Sequence, residues 1–217
     1  MPEEKQKHHQ HLKPKIAISG AAETGHCGGQ EVLDIARELG REVARQGAIT
    51  VNGATTGFPL WAARGAKEEG GVVIGLSPAT NEAEHVELYH LPLDYLDMVI
   101  YTGSGYSGRN LLLTRAADAV IVGCGRIGTI NEFTIAFEDK KPLGVLEGGW
   151  PTDEVIQTIV KHGHRENPKL IFDKSPKELV SRTIALIEKE KEKSYGVYTN
   201  SDKFYTDCDG TNCKIIL

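Results

Sequence analysis

Residues 107–132 read SGRNLLLTRAADAVIVGCGRIGTINE, and the fold turns on this stretch. Its first part has the spacing of a helix. Asp118 to Gly123 then forms a short apolar run of the kind found in a buried strand. A glycine-rich turn follows, and the pattern predicts a new helix opening at Thr129. Strand, glycine turn and helix start together make an anion site. Backbone N–H groups freed by the glycines, and those left unpaired at the helix start, point at whatever lies above the strand end. Arg109 and Glu132 flank this turn with opposite charges.

Outward from this point the same alternation repeats. Short apolar runs at IAIS after Lys15, ITV (49–51), GVVIGL (71–76), DMVIY (97–101), DAVIVG (118–123) and PLGVLE (142–147) read as six strands. Helices are expected over 30–46, 58–69, 108–117, 129–139, 151–162 and 175–193, with 77–95 a longer connection. Val/Ile strands alternating with helices predict a parallel sheet covered on both faces. Right-handed crossovers then give a doubly wound, Rossmann-like α/β domain over 14–193. Four of the strands run into Gly/Ser/Thr-rich loops near Gly20, Gly53, Gly103 and Gly123. One pocket with several walls is expected at that edge.

The flanks differ from this core. Residues 1–13, rich in Lys and His, read as a disordered tail. The segment 194–217 has strand-like runs around Asp209-Gly210, which predicts a hairpin extension on which Cys208 and Cys213 face each other as free thiols, with a disulfide or half of a shared zinc site as the alternatives.

Bulk properties limit the function classes. The chain has 217 residues, 40% of them hydrophobic and 25% charged, which suits a soluble globular protein. A net charge of −5 gives no basic footprint for nucleic acid. No run approaches the roughly 20 apolar residues of a membrane span. The polar N-terminus is not a secretory signal. The four cysteines, Cys27, Cys124, Cys208 and Cys213, are scattered and do not predict a disulfide framework. These features point to the cytoplasm, with no metal and no cofactor expected.

Individual residues carry two readings each. Thr129-Ile130-Asn131-Glu132 has the capping-box pattern, with Thr129 as N-cap, so Glu132 is read as a helix cap. Alternatively it is a carboxylate kept ionised by the helix dipole, able to stabilise a sugar cation or orient a water. Arg109, at a helix start, opposes the dipole unless an anion sits beside it; otherwise it is a solvated surface residue. Arg115 reads as an outer-face or salt-bridge residue, Cys124 as a small buried spacer, and His26 as a solvated loop histidine or, alternatively, a pocket residue. Gly123, Gly125 and Gly128 do not stand at the first strand-to-helix turn, where the dinucleotide fingerprint belongs. A Walker lysine is absent, which argues against a nucleoside triphosphatase.

The spacing of Arg109, Asp118 and C-G-R-I-G-T-I-N-E (124–132) resembles the lonely-guy family of cytokinin-activating phosphoribohydrolases. That family carries an arginine-lysine pair, a following aspartate and P-G-G-x-G-T-x-x-E. The likeness spans about residues 15–160, includes VNGATTGFPLWAARGAKEEGGVVIGLSP (51–78) and KPLGVLEGGW (141–150), and is nearest to the bacterial and archaeal nucleotide-binding branch. Some relatives carry a lysine decarboxylase label, which no lysine context here supports. The resemblance implies cleavage of the N-glycosidic bond of a nucleoside 5′-monophosphate to free base and ribose 5-phosphate. Arg109 and Glu132 would be catalytic. Ser19, Gly20, Gly53, Gly57, Gly125, Arg126, Gly128 and Thr129 would bind the nucleotide or its phosphate. The resemblance also implies a homodimer or higher homo-oligomer. Three departures stand out: Asn110 replaces the family lysine, Arg126 a loop glycine and Cys124 the proline. The losses at Asn110 and Arg126 favour the alternative, a non-catalytic binder of a nucleotide or phosphorylated cofactor like the molybdenum-cofactor carriers of that superfamily. A nucleotide-sensing partner protein is a third reading.

Overall fold

The computed structural model describes residues 12–199. Seven parallel strands form one sheet in the order β4-β3-β2-β1-β5-β6-β7. They are β1 (Lys15–Ser19), β2 (Ile49–Asn52), β3 (Val73–Ser77), β4 (Met98–Tyr101), β5 (Ala119–Val122), β6 (Leu143–Leu146) and β7 (Leu170–Asp173). The helices are α1 (Gln30–Arg45), α2 (Phe58–Glu68), α3 (Gly105–Ala116), α4 (Ile127–Glu138), α5 (Pro151–His162) and α6 (Pro176–Thr199). The doubly wound Rossmann-like α/β fold is therefore present, with one strand more than the six read from sequence. The missed strand, β7, is the edge run LIFD.

Side-chain alternation divides the core between the two faces of the sheet. Ile16, Ile18, Ala119 and Ile121 point to one side and meet Val32, Ala36, Leu39 and Val43 of α1 and Leu179, Val180 and Ile187 of α6. Ala17, Val120 and Val122 point to the other and meet Leu113 of α3, Phe133 and Ala136 of α4 and Ile156 of α5. This period of two, buried on both faces, is what a central parallel strand requires. On the first face α1 and α2 pack closely enough that a Cβ at Gly40 would collide with the Ala62 carbonyl, and one at Gly65 with the Arg37 carbonyl.

The chain order places a topological switch between β1 and β5. Strands β2 to β4 lie on one side of β1, whereas β5 pairs with its other side, in a register that aligns Ser19 with Val122. The loops after β1 and β5 diverge there and leave a crevice at the carboxyl ends of the strands.

The same adjacency corrects the cysteine expectation. Cys27 and Cys124 are joined in a disulfide across 97 residues of sequence, with Cα atoms 6.1 Å apart. Cys124 is fully buried, as a spacer would be, but it is paired. The link follows from β1 and β5 being neighbours, which sequence spacing does not reveal. The expected hairpin, with Cys208 and Cys213, lies outside the described residues. So does most of the expected N-terminal tail. α6 runs to Thr199, beyond its expected end at 193. Among the described residues no helix is long and apolar enough to cross a membrane.

Candidate functional site

A cleft of about 410 Å3 occupies the crevice at the switch point. Four segments supply most of its wall, and Pro59 of α2 adds to it. The end of β1 contributes Ser19 and Gly20, followed by Ala21 and Ala22; the loop after β2 contributes Gly53 and Thr55. One face of α3 contributes Tyr106, Arg109, Asn110 and Leu113, and the start of α4 contributes Arg126, Gly128, Thr129 and Glu132. Six of the eight expected binding residues thus lie together with Arg109 and Glu132. Gly57 and Gly125 do not reach the cleft wall. Gly57, at φ 68°, begins α2 pressed against the Ala21 and Ala22 carbonyls. Gly125 is packed under the Thr129 side chain, and its N–H donates to Thr152 Oγ1 at 2.9 Å.

The floor rests on Phe58. Its ring fills the space where a Cβ at Gly20 or Gly123 would lie, so the ends of β1 and β5 close around one aromatic side chain. Trp150 meets that ring edge-on, with centroids 6.2 Å apart.

The helix α4 opens two residues earlier than expected, at Ile127, with Arg126 in the N-cap position. Thr129 is therefore not the cap, and no side chain caps this helix. Its first backbone bond runs from Ile130 N–H to Arg126 O at 3.0 Å, so the amides ahead of it remain available to a ligand. A Cβ at Gly128 would meet nothing within 4 Å. Arg126 sits at the rim and pairs with Glu23 at 3.1 Å, leaving the cleft open.

Glu132 lies in the second turn, so the capping-box reading fails and so does the expectation that the dipole keeps it ionised. It is only 5% exposed. Ser19 Oγ donates a hydrogen bond to its Oε2. The amide orientation of Asn110 that satisfies its surroundings donates to Glu132 Oε1 at 2.9 Å and to the Tyr106 carbonyl at 3.0 Å. Burial pushes the Glu132 carboxyl above the usual carboxylate range, opposed by Arg109 and by the Ser19 bond.

Arg109 is 7% exposed and belongs to the second turn of α3, because that helix starts at Gly105 rather than 108. Dipole opposition thus contributes little to its placement. Its guanidinium lies over Gly53, where a Cβ would overlap Nη1. Nη1 is 4.0 Å from Glu132 Oε1, and Nε is buried with no partner. Burial lowers the guanidinium from its ordinary value, with Glu132 pulling it back. A buried cation with an unused donor, beside a carboxyl that burial drives toward neutrality, favours an incoming anion.

Sequence reasoning missed Tyr106 and Leu113. With Arg109 and Asn110 they form an i, i+3, i+4, i+7 stripe on α3, a signal that was present in the sequence. Asp118, which matches the family spacing, lies at the opposite edge of the sheet, paired with Lys15 at 2.9 Å. Arg115 pairs with Asp139 on the surface at 3.0 Å, as expected. His26 is not a cleft residue; its Nε2 is 3.3 Å from the Gly125 carbonyl and 3.9 Å from Cys124 Sγ.

Comparison with known proteins agrees with this architecture. A molybdenum cofactor binding protein from Rippkaea orientalis superposes with a TM-score of 0.64 at 27% identity, over 84% of this chain and 99% of that one. The molybdenum cofactor carrier protein of Chlamydomonas reinhardtii gives 0.64 at 27% identity, over 82% and 99%. DNA processing protein A from Helicobacter pylori, 19% identical with a TM-score of 0.56 over 79% and 80%, shares the fold. An uncharacterized protein of Archaeoglobus fulgidus is 31% identical over 133 residues, which are 61% of this chain and 82% of the relative. The SLOG cluster4 family matches residues 13–180, a span that holds the whole cleft. The chain belongs to that family, within the LOG-like SLOG superfamily.

Proposed function

We propose that the cleft binds a small ligand with a phosphate monoester and a planar heterocycle, and holds it without turnover. A nucleoside 5′-monophosphate and the phosphorylated pterin of the molybdenum cofactor share this chemistry; molybdenum would then be cargo. Arg109 and the amides at the start of α4 take the phosphate, Ser19, Gly20 and Gly53 line its approach, and Tyr106 and Leu113 offer apolar surface to the ring. The volume suits a site of this class, which spans roughly 300–1,000 Å3. Likeness to two molybdenum-cofactor-binding proteins supports the reading.

The observation that carries it is the state of Glu132. Ser19 Oγ donates to one carboxyl oxygen and the Asn110 side-chain amide lies against the other, while burial pushes the group toward its neutral form against the pull of Arg109 and the Ser19 bond. A carboxyl so engaged does not serve as a free base for water or as a bare anion beside a developing sugar cation. The hydrolase reading draws on the lonely-guy-like spacing of Arg109 and Glu132 and on their 4.0 Å approach at the cleft.

The test is incubation with AMP, GMP, CMP and UMP, monitored by melting temperature and by chromatography for free base. The binding reading expects stabilisation by at least one mononucleotide and no base above background. Base release that disappears in Glu132→Gln would establish the hydrolase instead. A second copy of the chain is the proposed partner. Met98 and Ile100 on edge strand β4, and Leu111 and Leu112 on α3, present exposed apolar side chains. Light scattering of the protein and of Leu112→Asp tests this, with loss of the dimer expected.

A further inference from the structure

Among the described residues, one group of side chains outside the cleft has ligand chemistry and no role in the reading above. His26 Nε2, Cys27 Sγ and Cys124 Sγ all lie within 4.8 Å of one another. They come from the loop after β1 and the loop after β5, which the disulfide joins. His26 is exposed, whereas Cys27 is 8% exposed and Cys124 is buried, so the group opens to solvent on the histidine side. A cavity of about 180 Å3 adjoins it, lined among others by Glu31, Gly148 and Trp150.

We propose that the reduced form of this loop pair is a metal site, in which Cys27 Sγ, Cys124 Sγ and His26 Nε2 hold one zinc-class divalent cation. The fourth position opens on the adjoining cavity. Two thiolates and an imidazole are a ligand set for zinc, with metal–sulfur bonds of about 2.3 Å and metal–nitrogen bonds of about 2.0–2.1 Å. Tetrahedral angles at those lengths put sulfur and nitrogen about 3.6 Å apart. The present 3.9 Å between His26 Nε2 and Cys124 Sγ is already close to that separation. The two sulfurs must part to about 3.8 Å once their bond is broken, and His26 Nε2, now within 4.8 Å of Cys27 Sγ, must settle at about 3.6 Å from it. Gly28 and Gly29, at φ 111° and 65°, follow Cys27 directly, so the loop that must adjust is built from permissive backbone.

The chemistry balances. A dithiol reductant supplies two electrons and two protons, closing to its own disulfide while Cys27 and Cys124 become thiols. Binding a divalent cation then releases two thiol protons, and the imidazole offers Nε2 from its neutral form. Two thiolates cancel the cation's charge, which suits a site where two of three ligands are buried. Oxidation reverses the sequence and expels the metal. Because His26 Nε2 also faces the Gly125 carbonyl at 3.3 Å, metal binding trades that contact and reaches the backbone just ahead of α4.

Cobalt(II) is the probe, used on the full chain carrying Cys208→Ser and Cys213→Ser so that the second cysteine pair contributes nothing. After reduction and anaerobic removal of the reductant, titration should end at one cobalt per chain. Thiolate-to-cobalt absorption in the near ultraviolet, tetrahedral bands in the visible and displacement by zinc are expected. The oxidised protein should give none of these. Cys27→Ser should abolish the thiolate band of a two-sulfur site, and His26→Ala should weaken binding about tenfold or more while keeping sulfur absorption. Circular dichroism checks that each form is folded. If Cys124→Ser, at a buried position, does not fold, the two loop variants carry the test. No cobalt spectrum in the folded reduced protein, or an unchanged spectrum in Cys27→Ser, overturns the proposal.

Discussion

The two edges of the sheet each hold a buried or half-buried ion pair, and they are built to opposite ends. At the amino edge Lys15 Nζ meets Asp118 at 2.9 Å, the Lys15 backbone N–H donates to the same carboxylate at 2.8 Å, and Lys191 approaches it at 3.6 Å. Burial raises the Asp118 carboxyl, but the Lys15 side-chain and backbone bonds outweigh it and hold the group below its ordinary value. At the carboxyl edge Arg109 and Glu132 stand 4.0 Å apart, and burial lowers the basicity of one and the acidity of the other. The first pair is complete and ties strands together. The second lacks a partner for Arg109 Nε, which is the condition of a site made to receive something.

The largest expected break in this contrast is Arg109→Ala. Losing a charge-assisted donor set to phosphate should weaken mononucleotide binding roughly 10- to 100-fold, or about 1.5–3 kcal/mol. Isothermal titration reads this, and Asp118→Asn, at the other edge, should leave the affinity unchanged. Equal losses in both variants would dissolve the distinction.

Stability against pH sharpens it next. Asp118 has a depressed folded value, so its contribution is present above the unfolded value, near 3.9, and is lost as pH falls through the folded one. Asp118→Asn should therefore cost about 1–2 kcal/mol at pH 7, discounted for partial solvent screening, and the deficit should shrink below pH about 4. Glu132 has the reverse sign. Its raised folded value means that stability is lost as pH climbs through that value, so Glu132→Gln should melt higher than the native protein at pH 7. Converging melting temperatures as pH approaches about 4 are expected for this variant. A Gln variant that melts lower at pH 7 than at pH 5, relative to the native chain, would contradict the assignment. The smallest effect belongs to the exposed Arg115–Asp139 pair. Arg115→Ala should leave the melting temperature nearly unchanged, with melting in high and low salt as the check.

The sequence made much of this arrangement legible, but unevenly. Ser19, Gly20, Gly53, Arg109, Arg126, Gly128, Thr129 and Glu132 could be gathered to one edge because each follows or flanks an apolar run that reads as a strand. Tyr106 and Leu113 were hidden only by a late helix start, which broke the stripe they share with Arg109. The environment of Glu132 was not readable at all. Its motif fits a cap, and its actual partners are Ser19, 113 positions away, and Asn110 on another helix.

Local periodicity, short apolar runs and glycine turns were enough to specify a parallel α/β sheet with its loops collected at one edge, because these depend on neighbours a few residues apart. Which strands adjoin decided the rest. Only the β1–β5 pairing brings Cys27 to Cys124 and Ser19 to Glu132 and opens the crevice between diverging loops. The charge state of Glu132 likewise follows from how much water the finished fold excludes, a property that no short stretch of chain possesses.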